Sequence, residues 1–133
     1  MAKLVLTDVS VTLAGSDVSA NIAAVTLSSS SAEVETTSFG VGAVTRTGGL
    51  VDNSVTLSWH NEYSSIEGLV YPLIGSTATI VIKPSSGAVG TANPSYTATV
   101  LVTEWTPING AVGELNVVDT TWPISGTITR GTA

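Results

Sequence analysis

The sequence of 133 residues contains no cysteine and no glutamine, few aromatic side chains (5%) and only four basic residues. Without cysteine, the chain has no disulfide, no thiolate metal ligand and no cysteine nucleophile. The basic residues are scattered, at Lys3, Arg46, Lys83 and Arg130, so no stripe of positive charge could neutralise a row of phosphates. Ten acidic residues give a net charge of −6, which argues further against tight binding to nucleic acid.

Long uninterrupted apolar runs are also missing. No segment approaches the ~18 apolar residues of a membrane-spanning helix. The segment from Met1 to Asp8 has a charge and hydroxyls where a signal peptide needs an unbroken apolar core, so we expect the mature chain to start here and to be made in a cytoplasm. Apolar residues are nevertheless plentiful, with 18 valines, 10 leucines and 8 isoleucines. This content argues against intrinsic disorder and predicts a single domain over residues 1–133.

Strand-forming residues dominate, with 20 threonines and 18 valines, whereas residues that favour helices are scarce. Apolar and polar residues alternate in segments that we predict to be half-buried strands: 9–13, 55–59, 78–82, 96–103, 114–118 and 124–128. Turns are predicted at 14–17, at Gly48-Gly49 and at Asn109-Gly110. The tryptophans lie in strand-like contexts, so we expect packing in the core or at a subunit contact for Trp59, Trp105 and Trp122.

One segment has helical periodicity, from about Ser65 to Leu73, because its apolar residues recur at i, i+3, i+4 and i+7. Ser64 and Glu67 have the spacing of a capping box, and Pro72 predicts an irregular last turn. With the strands, this helix predicts a mainly β fold. We expect a β-sandwich or barrel-like domain with one short flanking α-helix and long loops.

Two stretches resist assignment as strands, Ser28 to Gly49 and Pro84 to Pro94, and we predict that they form long loops or protruding hairpins. Loops of this length are uncommon in compact domains unless they are functional or disordered. The first stretch contains apolar residues that do not suit a solvated loop: Val34, Phe39, Val41 and Val44. Exposed apolar groups of this kind mark an interaction site, so we expect a partner to cover them.

Catalytic chemistry finds little support in the sequence. His60 is the only histidine, and no Gly-x-Ser-x-Gly elbow accompanies it. The closest acid pairs, Glu33 with Glu35 and Glu62 with Glu67, lack the aromatic wall of a sugar cleft. No Asp-x-Asp-x-Asp loop, histidine pair or glycine-rich phosphate loop occurs. We therefore expect the protein not to be an enzyme and to hold no cofactor and no metal.

Several short tracts, in a consistent order, resemble the tail tube proteins of long-tailed bacteriophages, also called major tail proteins. They are ETTSFG at 35–40, GLVDNSVTL at 49–57 and WPISGTITR at 122–130, with NPSY at 93–96 as a weaker addition. The order of these tracts is the specific part of the resemblance, which runs through most of the chain. Larger members carry an appended immunoglobulin-like domain, and host-surface decoration by such a domain is not expected here.

The resemblance implies a structural virion protein with the β-sandwich and flanking helix described above. Six copies would close into a ring whose inner strands form a continuous barrel, and stacked rings would form the tail tube, the conduit for DNA ejection. The implied partners are other copies of the chain and other tail proteins. DNA would pass through without specific binding, and no membrane is involved. The implied location is the phage tail of the virion, after synthesis in the host cytoplasm.

Within such a tube, the sequence suggests positions for three contacts. We expect the stretch from Ser28 to Gly49 to pack on the adjacent ring through Val34, Thr36, Thr37, Phe39, Val41 and Val44. Lateral closure would pair edge strands, with Val51 to Trp59 and Thr97 to Trp105 as candidates for a shared inner sheet. Glu104 is the candidate for the lumen, because alternation places it within a long strand on the face opposite Trp105.

Two other functions fit the same composition. The chain could be a capsid decoration protein, or a β-sandwich module that binds a ligand through its loops. Particle size distinguishes the three hypotheses, because a tube former gives rings or long tubes, a decoration protein gives small oligomers, and a binding module stays monomeric.

Overall fold

Eight strands in two sheets and one short helix make up the fold in a computed structural model, which describes residues 6–132. In chain order the elements are β1 (Ser10–Leu13), β2 (Ser16–Asp17), β3 (Ile22–Glu35), β4 (Arg46–His60), α1 (Ile66–Val70), β5 (Thr77–Lys83), β6 (Ser95–Leu101), β7 (Val117–Pro123) and β8 (Thr129–Gly131). The first sheet has the order β2-β1-β5-β6-β8 and the second the order β3-β4-β7. The neighbouring strands pair antiparallel. The prediction of a mainly β, sandwich-like domain with one short helix is confirmed.

Alternating side chains of both sheets form the core between them. From Asn53 to Trp59 on β4 and along β7, every second residue is buried, and the residues between face solvent wholly or in part. The five-stranded sheet contributes the same pattern from β1, β5 and β6. The largest fully buried side chains are Trp59, Trp122, Leu13, Leu57 and Ile80. The alternation that predicted these strands therefore reports the core directly.

The three tryptophans meet in this core, which confirms that they are packing residues. The ring centroids of Trp59 and Trp105 lie 5.3 Å apart at an interplanar angle of 80°, an edge-to-face contact. Trp122 lies 5.9 Å from Trp59. The indole N–H of Trp59 donates to the hydroxyl of Thr120 at 3.0 Å, so this buried polar group is satisfied.

Helix α1 covers one end of the sandwich and is shorter than the pattern predicted. Ile66 and Val70 are buried, and a 3₁₀ turn over Tyr71–Leu73 follows, as Pro72 predicted. The predicted capping box is wrong, because the cap residue is Ser65 and no side chain caps the helix. The Ser64 hydroxyl donates instead to Glu62 at 3.0 Å. Within residues 6–132, no helix is long and apolar enough to cross a membrane.

Several predicted boundaries are wrong, for reasons that the backbone shows. The Asn109-Gly110 hairpin does not form, because the chain turns later, at Gly113, whose φ is 84°. The strand predicted at 124–128 is interrupted by Gly126, with a φ of 92°, and β8 begins only at Thr129. Gly48 and Gly49 lie within β4 and make no turn.

The two unassigned stretches have different structures. Residues 84–94 form a long loop held by the Asn93 side chain, which bonds the backbone of Ser85 and the carbonyls of Gly87 and Ala88. The stretch from Ser28 to Gly49 is a protruding hairpin, with β3 and β4 paired almost to its end.

Candidate assembly interface

The β3–β4 hairpin extends far beyond the rest of the molecule. Strand β7 accompanies β4 only as far as the pair Ser54 and Pro123, whereas β3 and β4 continue in register to Glu35 and Arg46. Every residue from 28 to 52 is exposed, and we call this segment the projecting arm. Eight residues of β3 in the arm span roughly 25 Å at ~3.3 Å per residue. The arm is thus a two-stranded ribbon without a core of its own.

Large apolar side chains of the arm lie in solvent. Phe39 at the tip is fully exposed, and Leu50 is 88% exposed. About half of the surface of each remaining side chain in this group is accessible: Val34, Val41, Val44 and Val51. The predicted contact residues Val34, Phe39, Val41 and Val44 are therefore brought together at the outer part of one arm. The sequence prediction missed Leu50, whose position out of phase with the buried residues of β4 could have revealed it, and it assigned Val51 to the lateral contact instead.

Thr36 and Thr37, also predicted as contact residues, hold the tip loop together. The backbone N–H of Thr36 donates to the carbonyl of Thr45 at 2.8 Å, and their hydroxyls lie 2.9 Å apart. The Thr45 N–H donates to the Thr37 hydroxyl at 2.9 Å. Arg46 and Glu33 form an ion pair just below. These bonds give the tip a defined shape, which presents Phe39 outward.

A bulge at Gly49 shapes the middle of the arm. The register shifts between Ser31 and Glu33, so β4 has one more residue than β3 at this point. A Cβ at Gly49 would lie 3.1 Å from the Val34 side chain and 3.2 Å from that of Ala32. Glycine suits this position because a Cβ would be in tight contact with the neighbouring strand, which would have to shift by a few tenths of an ångström.

Threonine and serine side chains occupy most positions on the outer face of the three-stranded sheet. Thr26, Thr56 and Thr121 lie side by side across the three strands, and the hydroxyls of Thr56 and Thr121 are 3.2 Å apart. Serines occupy most of the neighbouring positions on β3 and β4: Ser28, Ser30, Ser54 and Ser58. The only carboxylates there are Asp52 and Asp119, and in the described part of the chain this face carries no Lys or Arg. We call it the hydroxyl face.

Glu104 lies outside the strand in which it was predicted, because β6 ends at Leu101. Its carboxylate accepts a hydrogen bond from the backbone N–H of Thr121 at 2.9 Å, and its carbonyl accepts one from the Trp122 indole at 3.0 Å. The side chain is exposed but covers part of the outer edge of β7. The prediction that Glu104 is in the middle of a strand is wrong, whereas its position relative to a lumen stays a prediction.

The candidates for a shared inner sheet are not edge strands. Val51 to Trp59 belongs to β4, the centre of its sheet. Residues 97–101 belong to β6, whose outer edge pairs with β8 as far as Thr97 and is then contacted by Ile124 and Ser125. Alternation reports a half-buried strand and does not distinguish a central strand from an edge strand. Within residues 6–132, the long free edge is that of β3, which has 14 residues and neither lysine nor proline.

An apolar cleft lies beside this edge. It has a volume of about 490 Å³, and its walls include Val25 and Leu27 from β3 and Ile82, Tyr96 and Ile128 from the opposite side. Among the described residues, the three-stranded sheet does not cover the whole five-stranded sheet, so this part of the sandwich is open. The unpaired backbone of β3 and the open cleft form one continuous surface.

At the His60 end of β4, polar groups form hydrogen bonds that hold neighbouring segments of the chain together. His60 is exposed, and its carbonyl accepts a hydrogen bond from the Asn21 amide at 3.0 Å. Hydrogen bonds from Asn21, Ser64 and Ser65 hold the pKa of Glu62 below its usual value. Among the described residues, no three His, Asp or Glu side chains are grouped as metal ligands would be.

A scan against models of protein families finds no match to the chain, and a search of curated proteins finds none either.

Proposed function

We propose that the protein is the structural subunit of a phage tail tube, in which rings of six copies stack into a conduit for DNA. The observation that carries the proposal is the projecting arm, whose apolar side chains contribute nothing to the core of their own chain. An isolated two-stranded hairpin is marginally stable in water, and exposed apolar clusters mark interaction surfaces. The arm is therefore suited to an adjacent subunit, and we assign it to the contact between rings.

The hydroxyl face supports the conduit role. Neutral hydroxyls and two carboxylates per copy, with no lysine or arginine among the described residues of that face, give a wet wall that repels DNA weakly and does not hold phosphates. In the proposed ring, this face lines the lumen. Asp52 and Asp119 supply its negative charge, and any contribution of Glu104 depends on how the loop after β6 is placed.

The free edge of β3 supports lateral closure. An exposed strand edge pairs readily with another strand, and β3 has none of the lysines and prolines that prevent such pairing. Pairing of β3 with a strand of the next copy extends the three-stranded sheet around the ring. A heterologous contact of this kind closes if the rotation fits.

Electron microscopy of the purified full chain at high concentration tests the proposal. We expect rings or tubes with a central channel. As a matched control, residues 31–51 are replaced by an Asn-Gly turn that joins Ser30 to Asp52, which lie opposite each other with their backbone groups facing. This variant should fold and form at most single rings. A wild-type chain that stays monomeric would contradict the proposal.

The cleft beside β3 favours a second candidate, a ligand-binding module. Its volume lies within the usual range of small-molecule sites, about 300–1,000 Å³. This candidate predicts a monomer at all concentrations, and small closed oligomers would instead indicate a capsid decoration protein. Light scattering of the same samples separates these outcomes.

A further inference from the structure

A second apolar surface lies at the end of β4 opposite the arm. The chain between β6 and β7 forms a loop there, beside Tyr63. Ile108 is 81% exposed, Val112 is fully exposed, and Leu115 and Tyr63 are each exposed over more than half of their surface. We call these four side chains the loop surface.

Hydrogen bonds fix the loop in the shape that exposes these side chains. The Asn61 amide and the Tyr63 hydroxyl both donate to the carbonyl of Pro107, at 3.0 and 2.5 Å. The Asn116 amide donates to the Tyr63 hydroxyl at 2.7 Å, and the Asn109 amide donates to the Val117 carbonyl at 2.8 Å. Polar groups thus turn inward and apolar groups outward, the reverse of an ordinary surface loop. Such a loop is organised before any partner binds.

The loop surface and the arm tip cannot meet within one chain. They lie at opposite ends of β4, whose 15 residues span roughly 50 Å at ~3.4 Å per residue. Between two copies, however, the tip of one can reach the loop surface of the next. A contact between different surfaces of identical subunits repeats along one direction and produces a filament when it does not close into a ring.

The distribution of charge identifies a second copy as the partner. The chain carries a net charge of −6, so two copies repel each other over most of their surfaces. The tip, residues 36–45, contains no charged residue, and neither does the segment 105–113 of the loop. Glu62 and Glu114 adjoin the loop surface, but the uncharged tip can approach them without repulsion between like charges. Contact of tip with loop therefore avoids the electrostatic cost of bringing two acidic surfaces together.

We infer that the tip of the arm on one copy docks on the loop surface of the copy in the next ring, with Phe39 against Ile108 and Val112. This inference rests on the proposed tube and names the two surfaces that join its rings. It also gives the stack a direction, since every subunit presents its tip at one end and its loop surface at the other.

Cysteine cross-linking tests the inference, because the natural chain contains no cysteine. Phe39→Cys and Val112→Cys proteins are mixed and treated with a flexible bismaleimide. We expect a mixed dimer in about tenfold or greater excess over the dimer formed when Phe39→Cys is mixed with Ala88→Cys, an exposed position in the loop after β5. The double variant Phe39→Cys/Val112→Cys should give a ladder of dimers, trimers and longer chains.

Each alternative result has a distinct meaning. If Phe39→Cys alone gives as much dimer as the mixture, the tips meet each other and the inference is wrong. Equal yields with Val112→Cys and Ala88→Cys also overturn it, even if microscopy shows tubes. A ladder from the double variant without rings or tubes supports the docking of tip on loop while contradicting the proposed function.

Discussion

The body of the sandwich and the projecting arm are built from the same two strands, yet they follow different rules. In the body, side chains of β4 alternate between core and solvent, and β3 packs half-buried residues such as Val25 and Leu27 against the core. In the arm, both faces are exposed, and apolar residues such as Phe39 and Leu50 contact no core. The sequence of the body is explained by folding of one chain. That of the arm is not explained by folding of one chain, and we propose that it serves contact with another molecule.

Loss of the central tryptophan should produce the largest effect on the body. Trp59 is fully buried between Trp105 and Trp122, so Trp59→Ala should lower the free energy of unfolding by about 3–5 kcal/mol. Leu50→Ala, a truncation in the arm, should change it by less than about 0.5 kcal/mol. Urea denaturation followed by circular dichroism measures both. Equal losses for the two variants would remove the distinction between body and arm.

A charge at the tip of the arm should impair assembly and leave the stability of the monomer unchanged. Phe39→Asp removes an apolar contact and adds charge repulsion between copies, but it disturbs no intramolecular contact of the described chain. We expect an unchanged melting temperature and loss of elongation, with light scattering as the measure of assembly. Thr79→Asp, on the exposed face of β5, is the matched control and should assemble normally. Normal elongation of Phe39→Asp would show that the tip is not an interface.

A proline in β3 separates lateral pairing from folding. The backbone N–H of Thr121 donates to Glu104, so it points away from β4. Thr56 lies opposite Thr121, and in such a pair both residues direct their backbone N–H and C=O groups away from each other. The backbone groups of Thr56 therefore point toward β3. The backbone groups of Thr26, opposite Thr56, then point toward β4. Because these groups alternate in direction along a strand, the N–H of Ser29, three residues later, points to the free edge. Ser29→Pro should keep the fold and prevent ring closure, whereas Thr26→Pro should destabilise the monomer. Closed rings from Ser29→Pro would exclude this edge from the lateral contact.

A positive charge on the hydroxyl face tests which face lines the channel. Thr56→Lys should make assembled tubes bind DNA, and each phosphate contact should add about 0.9 to the slope of log affinity against log salt. Thr79→Lys on the opposite sheet should bind DNA no better than the parent. This pair is cleaner than Glu104→Lys, which also removes the acceptor for the Thr121 N–H. Equal DNA binding by both threonine variants would place the lumen elsewhere.

The smallest effect is expected from the carboxylate at the loop end of the body. The pKa of Glu62 is lowered below 4.5 by hydrogen bonds from Asn21, Ser64 and Ser65. A carboxylate with a lowered pKa stabilises the folded state above its unfolded pKa, and this contribution is lost as the pH falls through the folded value. Glu62→Gln should thus melt slightly below the parent at pH 7, and the difference should vanish under more acidic conditions. A difference that persists in acid would mean that Glu62 acts without its charge.

The strands of the body could be predicted from the sequence where burial of one face makes apolar and polar residues alternate. Strands β1, β4 and β5 were located by their alternating residues, and the tryptophan core followed from their contexts. The outer part of β3 was predicted only as a long loop or a protruding hairpin, because Ser28 to Ser31 lie in a ribbon exposed on both sides and show no alternation. Turn positions failed where tertiary pairing, as at Gly49, uses glycine inside a strand.

The candidate interface could be predicted only in part. The apolar residues of the arm were visible because Phe39 and its neighbours stand among polar residues. The loop surface was not predicted, because Ile108, Val112 and Leu115 are spaced like ordinary loop or strand residues, and only the hydrogen bonds of Pro107 and Asn116 turn them outward. The position of Glu104 was wrong because no local signal marks the end of β6 at Leu101.

Hydrogen–deuterium exchange on the monomer and on the assembled protein tests most directly whether the arm is an assembly device. In the monomer, amides of the body should exchange slowly, whereas those of residues 28–52 should exchange fast, because a two-stranded ribbon opens easily. On assembly, the account predicts strong protection of the arm with little change in β5 and β6. An arm that is equally protected in both states, or equally unprotected in both, would contradict it.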